Sequence, residues 1–159
     1  MNADNFRAFF DYHFRLNRVI WSYSIVPLTE EQFLEPSDYS IGSVHNQLVH
    51  MLNVDNAWFS DLRGETLVED LERDSQHSRE EIRALWDELE GKIREYLATL
   101  TDDMLDQVLL EADPYPLWQV LLHVVNHGTD HRAQLLAQLH QVGGKTLPQD
   151  YVFYLNGEL

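Results

Sequence analysis

Four long stretches of this sequence repeat apolar residues every three or four positions, and this pattern constrains the fold more than any other feature. The stretches cover residues 3–25, 41–62, 78–100 and 115–142. Such spacing gives a helix one apolar face that must be buried against another element. At 1.5 Å per residue the helices would be about 33 to 42 Å long, similar enough to lie side by side. The sequence therefore predicts an all-α fold built as a four-helix bundle.

Residues that break helices stand close to the ends of these stretches. Pro27 is expected to end the first helix, Gly64 the second and Gly143 the fourth. Two further stretches, Thr101 to Asp113 and Asp150 to Leu155, fit either a short strand or a helical turn. We therefore expect them to be connecting structure.

Two capping boxes mark helix starts. Ser78 is followed three residues later by Glu81 at the start of the third stretch, and Thr29 is followed by Gln32 between the first two. The second box predicts a short helical turn. Gly91 lies inside the third stretch and should weaken that helix by roughly 1 kcal/mol relative to alanine.

Length, composition and charge narrow the class of protein. The chain has 159 residues of which 44% are hydrophobic, so residues 1–159 can form a single domain around one core. A net charge of −16 argues against nucleic acid as a partner, since binding to phosphates needs clustered positive charge. No stretch approaches the ~20 consecutive apolar residues of a membrane helix. The amino terminus lacks the pattern of a secretory signal, so we expect a cytoplasmic protein with no membrane partner.

The absence of cysteine means that a metal ion would have to be bound through nitrogen and oxygen atoms. His127 and His131 are four residues apart on the fourth helix and lie on the side that carries its apolar stripe. Two such imidazoles can reach one ion, but the pair alone is weak evidence. His50 lies about 40° outside the apolar stripe of the second helix, from where its ring can turn inward. We therefore predict His50, His127 and His131 as metal ligands.

The remaining histidines fit a metal site less well. His45 points about 140° away from His50, so we expect it to be structural or exposed. His123 continues the ladder upstream of His127 but lies further out, at the boundary of the apolar face. His77 and His140 stand beside polar or terminal sequence, where solvated histidine is the ordinary expectation.

Three polar residues occupy apolar stripes, where a polar group must find a partner or cost stability. They are His13 and Asn17 on the first helix and Asp55 on the second. They could stand behind a metal-binding imidazole and fix its tautomer, and Asp55 is the first candidate for that role. The alternative is a buried hydrogen-bond network that specifies helix pairing.

Two motifs carry a resemblance to a known family. The segments SVHNQLVHMLNVDNAWF and HVVNHGTDHRAQLLAQLHQVG, with DYHFRLNRVIW before and LPQDYVFYL after them, are similar to DinB-like (DinB/YfiT) proteins. The resemblance covers nearly the whole chain. It implies a bundle with up-down-down-up connectivity, a homodimer, and a divalent metal held by three histidines. Matched position by position, those histidines are His50, His127 and His131.

The resemblance also implies a function. Three neutral imidazoles leave open positions on an ion, where water can become hydroxide or a small thiol can become a thiolate. Better-understood relatives resemble thiol-dependent transferases, and others resemble metal-dependent hydrolases. We therefore expect a metal-dependent enzyme acting on a small electrophile, with a low-molecular-weight thiol as cosubstrate.

Two alternatives to the enzyme remain open. One is a non-catalytic metal-binding stress-response protein, and the other is a bundle whose histidines satisfy one another. Imidazole suits zinc, nickel, iron and copper, of which zinc and nickel are our first expectations.

Overall fold

The computed structural model describes residues 1–65 and 77–158, and within these ranges the chain is all-helical. The α-helices are α1 Ala3–Ile20, α2 Glu30–Leu34, α3 Val44–Arg63, α4 Arg79–Thr99, α5 Leu117–Gln141 and α6 Tyr151–Leu155. In place of strands, the described residues contain one isolated β-bridge, between Val108 and Pro116. No helix in the described ranges combines the length and the apolarity that crossing a bilayer requires.

The four predicted long helices are all present, with small differences at their ends. α1 continues as a π-helical turn over Trp21–Ile25, so the first stretch ends just before Pro27 as expected. α3 begins at Val44 rather than at residue 41, because Gly42 adopts a left-handed φ of 106° and Ser43 caps the helix. α5 begins at Leu117 rather than at residue 115, because Pro116 is extended. Gly64 and Gly143 end α3 and α5 in the left-handed conformation, as predicted.

Both capping boxes are confirmed. The side chain of Thr29 accepts a hydrogen bond from the backbone N–H of Gln32, and the Gln32 side chain accepts one from the backbone N–H of Thr29. Ser78 and Glu81 do the same at the start of α4. The stretches expected to be connecting structure are partly helical: Asp102–Met104 forms a 3-10 turn and the tail forms α6.

α1 packs against three other long helices. It meets α3 where the Phe10 ring stands edge-on to Phe59, with ring centroids 5.4 Å apart. It meets α4 where Trp21 stands edge-on to Trp86, at 6.2 Å. It meets α5 around His13, which approaches the α5 backbone closely. The fully buried residues of the core include Phe6, Phe10, Leu16, Phe59 and Leu117.

Candidate metal centre

His50, His127 and His131 come together between α3 and α5. One ring nitrogen from each lies within 4.8 Å of the others. The Nε2 atoms of His50 and His131 are 3.2 Å apart. Zinc–imidazole bonds of about 2.0–2.1 Å in a tetrahedral site place ligand nitrogens roughly 3.3 Å apart. The three histidines could therefore bind one metal ion.

The local structure explains why these rings meet. His127 and His131 are one helical turn apart and so project from the same face of α5. α3 runs along that face, with Gln47 beside His131 and Trp58 beside His123. His50 lies between these two contacts, so its ring comes within 4.4 Å of the His131 ring and 5.4 Å of the His127 ring, centroid to centroid.

The surroundings of His127 keep its ring neutral. Burial, together with repulsion from His131, lowers the pKa of His127 to about 4, and the charge of Asp55 offsets this only in part. A neutral imidazole keeps a lone pair for a metal ion. His131 is 9% exposed, whereas His50 and His127 are half-buried. The site is thus partly desolvated and still reachable from outside.

Gln47 is a neighbour of the site that sequence reasoning missed. Its side chain is fully buried, and its amide nitrogen lies 2.7 Å from Nδ1 of His131. Its amide oxygen lies 3.0 Å from the hydroxyl of Ser40. Ser40 has a φ of 56°, in the left-handed region that residues other than glycine rarely adopt. Spacing could have pointed to Gln47, because it lies one turn before His50 on α3.

The three polar residues of the apolar stripes form a buried network. Nε2 of His13 lies 3.2 Å from Oδ2 of Asp55. Nη1 of Arg132 lies 3.0 Å from Nδ1 of His13 and 3.3 Å from Oδ1 of Asn17. Arginine has only donors, so Nδ1 of His13 must accept, and the proton on Nε2 is donated to Asp55. The hydrogen bonds of His13 and Asn17 thus join α1 to α3 and α5. That these residues also orient the metal-binding imidazoles stays a prediction.

Arg132, also missed from the sequence, supplies the positive charge of this network. Its side chain is fully buried, and that burial lowers the pKa of its guanidinium. The neutral ring of His13 connects the guanidinium to the carboxylate of Asp55, which compensates the charge. Arg132 also donates from Nη2 to the hydroxyl of Thr129 at 3.0 Å. This arrangement matches the helix-pairing alternative considered from the sequence.

Gly128 allows the ring of His13 to come this close to α5. A β-carbon at position 128 would lie 2.6 Å from Nδ1 of His13, and nearer still to Cε1. It would also lie 3.3 Å from Nη1 of Arg132. Gly128 lies between His127 and His131 in the sequence, so neighbouring residues of α5 contribute to the candidate metal centre and to the buried network.

The other histidines lie outside the three-histidine group. His45 is buried, with Nδ1 2.9 Å from Oδ1 of Asn46, which agrees with the expected structural role. The expectation for His77 was wrong: the residue is half-buried because its ring stacks on His45, with centroids 6.3 Å apart. His140 is exposed, as expected. His123 is exposed too, and its ring centroid is 5.8 Å from that of His127.

A cavity of about 380 Å³ opens one helical turn from the candidate metal centre. His123 connects the two, because its ring contacts both His127 and Trp58. The walls combine aromatic, aliphatic and polar side chains, namely Trp58, Asp113, Tyr115, Gln119, Val120 and His123.

Comparison with known proteins agrees with this architecture. The model of the DinB family matches residues 1–158. The chain belongs to the DinB family. A curated DinB-family relative, Protein DinB of Bacillus subtilis (strain 168), is 27% identical over 157 residues. That match covers 92% of this chain and 91% of the relative. Family membership confirms the resemblance carried by the two histidine motifs.

Proposed function

We propose that this DinB-family protein is a metal-dependent enzyme, a thiol S-transferase or a related hydrolase that acts on a small electrophile. His50, His127 and His131 would hold a divalent ion, with zinc or nickel first. The observation that carries the proposal is the grouping of three imidazole nitrogens within 4.8 Å of one another in a partly buried site. Three protein ligands are typical of catalytic sites, since they leave a coordination position for water or substrate.

The residues suit this chemistry in two ways. A bound divalent ion would lower the pKa of a coordinated water or thiol and so supply the nucleophile. The low pKa of His127, due mainly to burial, keeps its ring unprotonated at neutral pH and available as a ligand. The chain has no cysteine, so a thiol nucleophile would come from a small cosubstrate.

The neighbouring cavity gives a substrate a place to bind. Its volume of about 380 Å³ lies within the usual range for small-molecule pockets. Trp58 and Tyr115 offer flat apolar surface to the body of an electrophile. His123 lines this cavity, and its ring centroid is 5.8 Å from that of His127, so a bound molecule would lie beside the proposed ion.

We propose that the long helices form a DinB-like up-down-down-up bundle. The contacts between the helices support this. α1 runs antiparallel to α3 and to α4, and α3 runs antiparallel to α5, because in each pair the residue numbers of the contacts rise along one helix and fall along the other. The pairs are Phe10–Phe59 and His13–Asp55, then Arg7–Leu97 and Trp21–Trp86, then Gln47–His131 and Trp58–His123. The family resemblance further leads us to propose a cytoplasmic homodimer.

Elemental analysis of protein purified without a histidine tag tests the metal site. We expect one divalent ion per chain, lost in His127→Ala because two imidazoles hold an ion far less tightly than three. His140→Ala is the matched control, since it removes an exposed histidine from the same helix and should keep the ion. Equal metal content in the two variants would remove His127 from the ligand set.

Turnover assays test the reaction class. Metal-loaded protein is mixed with monochlorobimane and either glutathione or cysteine, and separately with p-nitrophenyl acetate without thiol. Metal-dependent conjugation to a thiol supports the transferase. Ester hydrolysis alone would favour the hydrolase. Stoichiometric metal with neither activity would favour the alternative, a non-catalytic metal-binding stress-response protein.

A further inference from the structure

A chain of side-chain hydrogen bonds leads from the surface of α5 to the ring of His131. It passes from Asp130 to Gln134, then to Ser40 and Gln47, and ends at Nδ1 of His131. Each of these groups has a fixed number of donors and acceptors, so the direction of one bond determines the direction of the next.

The outer end of the chain is set by a carboxylate. Asp130 can only accept, so Gln134 turns its amide nitrogen toward it, with Nε2 3.1 Å from Oδ2. The amide oxygen of Gln134 therefore faces inward, where it contacts the hydroxyl of Ser40. Because this oxygen can only accept, the single proton of the Ser40 hydroxyl must be donated to it.

The next link is Gln47, whose amide oxygen lies 3.0 Å from the same hydroxyl. One hydroxyl proton cannot serve two amide oxygens. Turning the Gln47 amide by 180° places Nε2 there instead, where it donates to Ser40. The oxygen and nitrogen of an amide are nearly identical in size, so the turn requires no other atom to move. The turn replaces two long contacts from Nε2, of 3.4 Å to the His131 carbonyl and 3.5 Å to Oε1 of Gln134, by oxygen–oxygen contacts at those distances. Those contacts are longer, and so less repulsive, than the 3.0 Å contact between two oxygens that share no proton at Ser40, which the turn removes.

After the turn, the amide oxygen of Gln47 takes the place of Nε2, which lies 2.7 Å from Nδ1 of His131. The oxygen can then accept a proton from Nδ1. We propose that this hydrogen-bond chain holds His131 in the tautomer with its proton on Nδ1, and that Gln47 is the positioning residue that selects it. The lone pair then lies on Nε2, which faces Nε2 of His50 at 3.2 Å. The tautomer that binds metal is thereby selected before the ion arrives. Outer partners of metal-binding histidines commonly fix the tautomer in this way.

This inference rests on the proposed metal role of His131, but the tautomer can be measured without metal. Nitrogen-15 NMR of the metal-free protein above pH 7 distinguishes the protonated ring nitrogen from the unprotonated one through long-range proton–nitrogen correlations. We expect the proton of His131 on Nδ1. A proton on Nε2 would overturn the inference, even if the protein binds metal. Conversely, a protein that binds no metal but shows the Nδ1 proton would refute the proposed function alone.

Substitutions at Gln47 test the selecting residue. Gln47→Met keeps the length of the side chain but removes the acceptor, so the tautomer preference should be lost. Zn²⁺ affinity, measured by competition with a chromophoric chelator, should fall 10- to 100-fold. Gln47→Glu keeps an acceptor and should retain both the tautomer and the affinity. Gln32→Met is the control, since Gln32 donates to the Val142 carbonyl far along the chain from this site. Equal losses in Gln47→Met and Gln32→Met would show a merely structural role and overturn the inference.

Ser40→Gly tests the middle of the chain without straining the backbone, because glycine readily adopts the φ of 56° found at this position. Removing the hydroxyl should free the Gln47 amide to take either orientation. We expect a mixture of His131 tautomers and a several-fold weaker Zn²⁺ affinity in a protein at least as stable as the parent. A pure Nδ1 tautomer with unchanged affinity would show that Ser40 does not transmit the preference.

Discussion

The close approach of His13 to α5 can be tested by adding one methyl group. In Gly128→Ala the new β-carbon would lie 2.6 Å from Nδ1 of His13, far inside van der Waals contact. His13 is fully enclosed and bonded to Asp55 and Arg132, so it cannot move aside freely. Either the ring moves and its hydrogen bonds lengthen, or α1 shifts away from α5.

The expected loss of stability follows from three contributions. Overpacking a core costs about 1–3 kcal/mol. Weakening a buried hydrogen bond to a charged group costs about 1.5–3 kcal/mol. Replacing glycine by alanine within a helix returns about 1 kcal/mol. We therefore expect Gly128→Ala to lower the free energy of unfolding by roughly 1.5–5 kcal/mol, measured by urea unfolding with an unchanged m value.

Gly91→Ala is the matched control. Gly91 also lies inside a helix, but a β-carbon there would meet nothing within 4 Å. We expect this variant to gain about 0.5–1 kcal/mol from helix propensity alone. In a His13→Ala background the penalty of Gly128→Ala should largely disappear, since the clashing ring is gone. Two glycine variants that stabilise the protein equally would refute the reasoning about His13.

Three further predictions concern the metal and the core. Zn²⁺ at 100 to 1,000 times its dissociation constant should stabilise the protein by about 3–4 kcal/mol. Removing the ion with a chelator should therefore lower Tm by roughly 5–16 °C. An unchanged Tm would argue against binding to the folded state. Arg132→Met should cost about 3–5 kcal/mol in urea unfolding, because the carboxylate of Asp55 loses the buried positive charge that compensates it across the ring of His13. A loss below about 1 kcal/mol would show that the charge of Asp55 is compensated elsewhere. Phe59→Ala should cost about 3–5 kcal/mol in the same assay, because Phe59 is fully buried against Phe10; a loss below 1 kcal/mol would contradict that packing.

Most of the fold could be predicted because its signals are local. Apolar periodicity located four long helices, and the capping boxes at Thr29 and Ser78 marked two starts within one residue. The errors at residues 41 and 115 come from backbone geometry that periodicity does not report. The left-handed turn at Gly42 and the extended Pro116 delay α3 and α5. The helix over Tyr151–Leu155 is too short to show a period.

The candidate site was predictable only where it disturbs an apolar pattern. His50, His127 and His131 stood out because imidazoles at the edge of a buried stripe need a reason to be there. Arg132 and Gln47 did not, since polar residues beside a stripe are common and their burial depends on which helices meet. A glycine in mid-helix at position 128 was the available signal of a close contact.

The carboxyl-terminal tail closes over one side of the buried network. The hydroxyl of Tyr12 donates to the main-chain oxygen of Gln149 at 2.5 Å, and Nε of Arg132 lies 3.3 Å from the side-chain oxygen of the same residue. Tyr151 then stacks on Phe9, with centroids 5.1 Å apart. A chain cut at Gly144 would keep all four long helices intact, yet water would reach a guanidinium that the whole protein keeps dry.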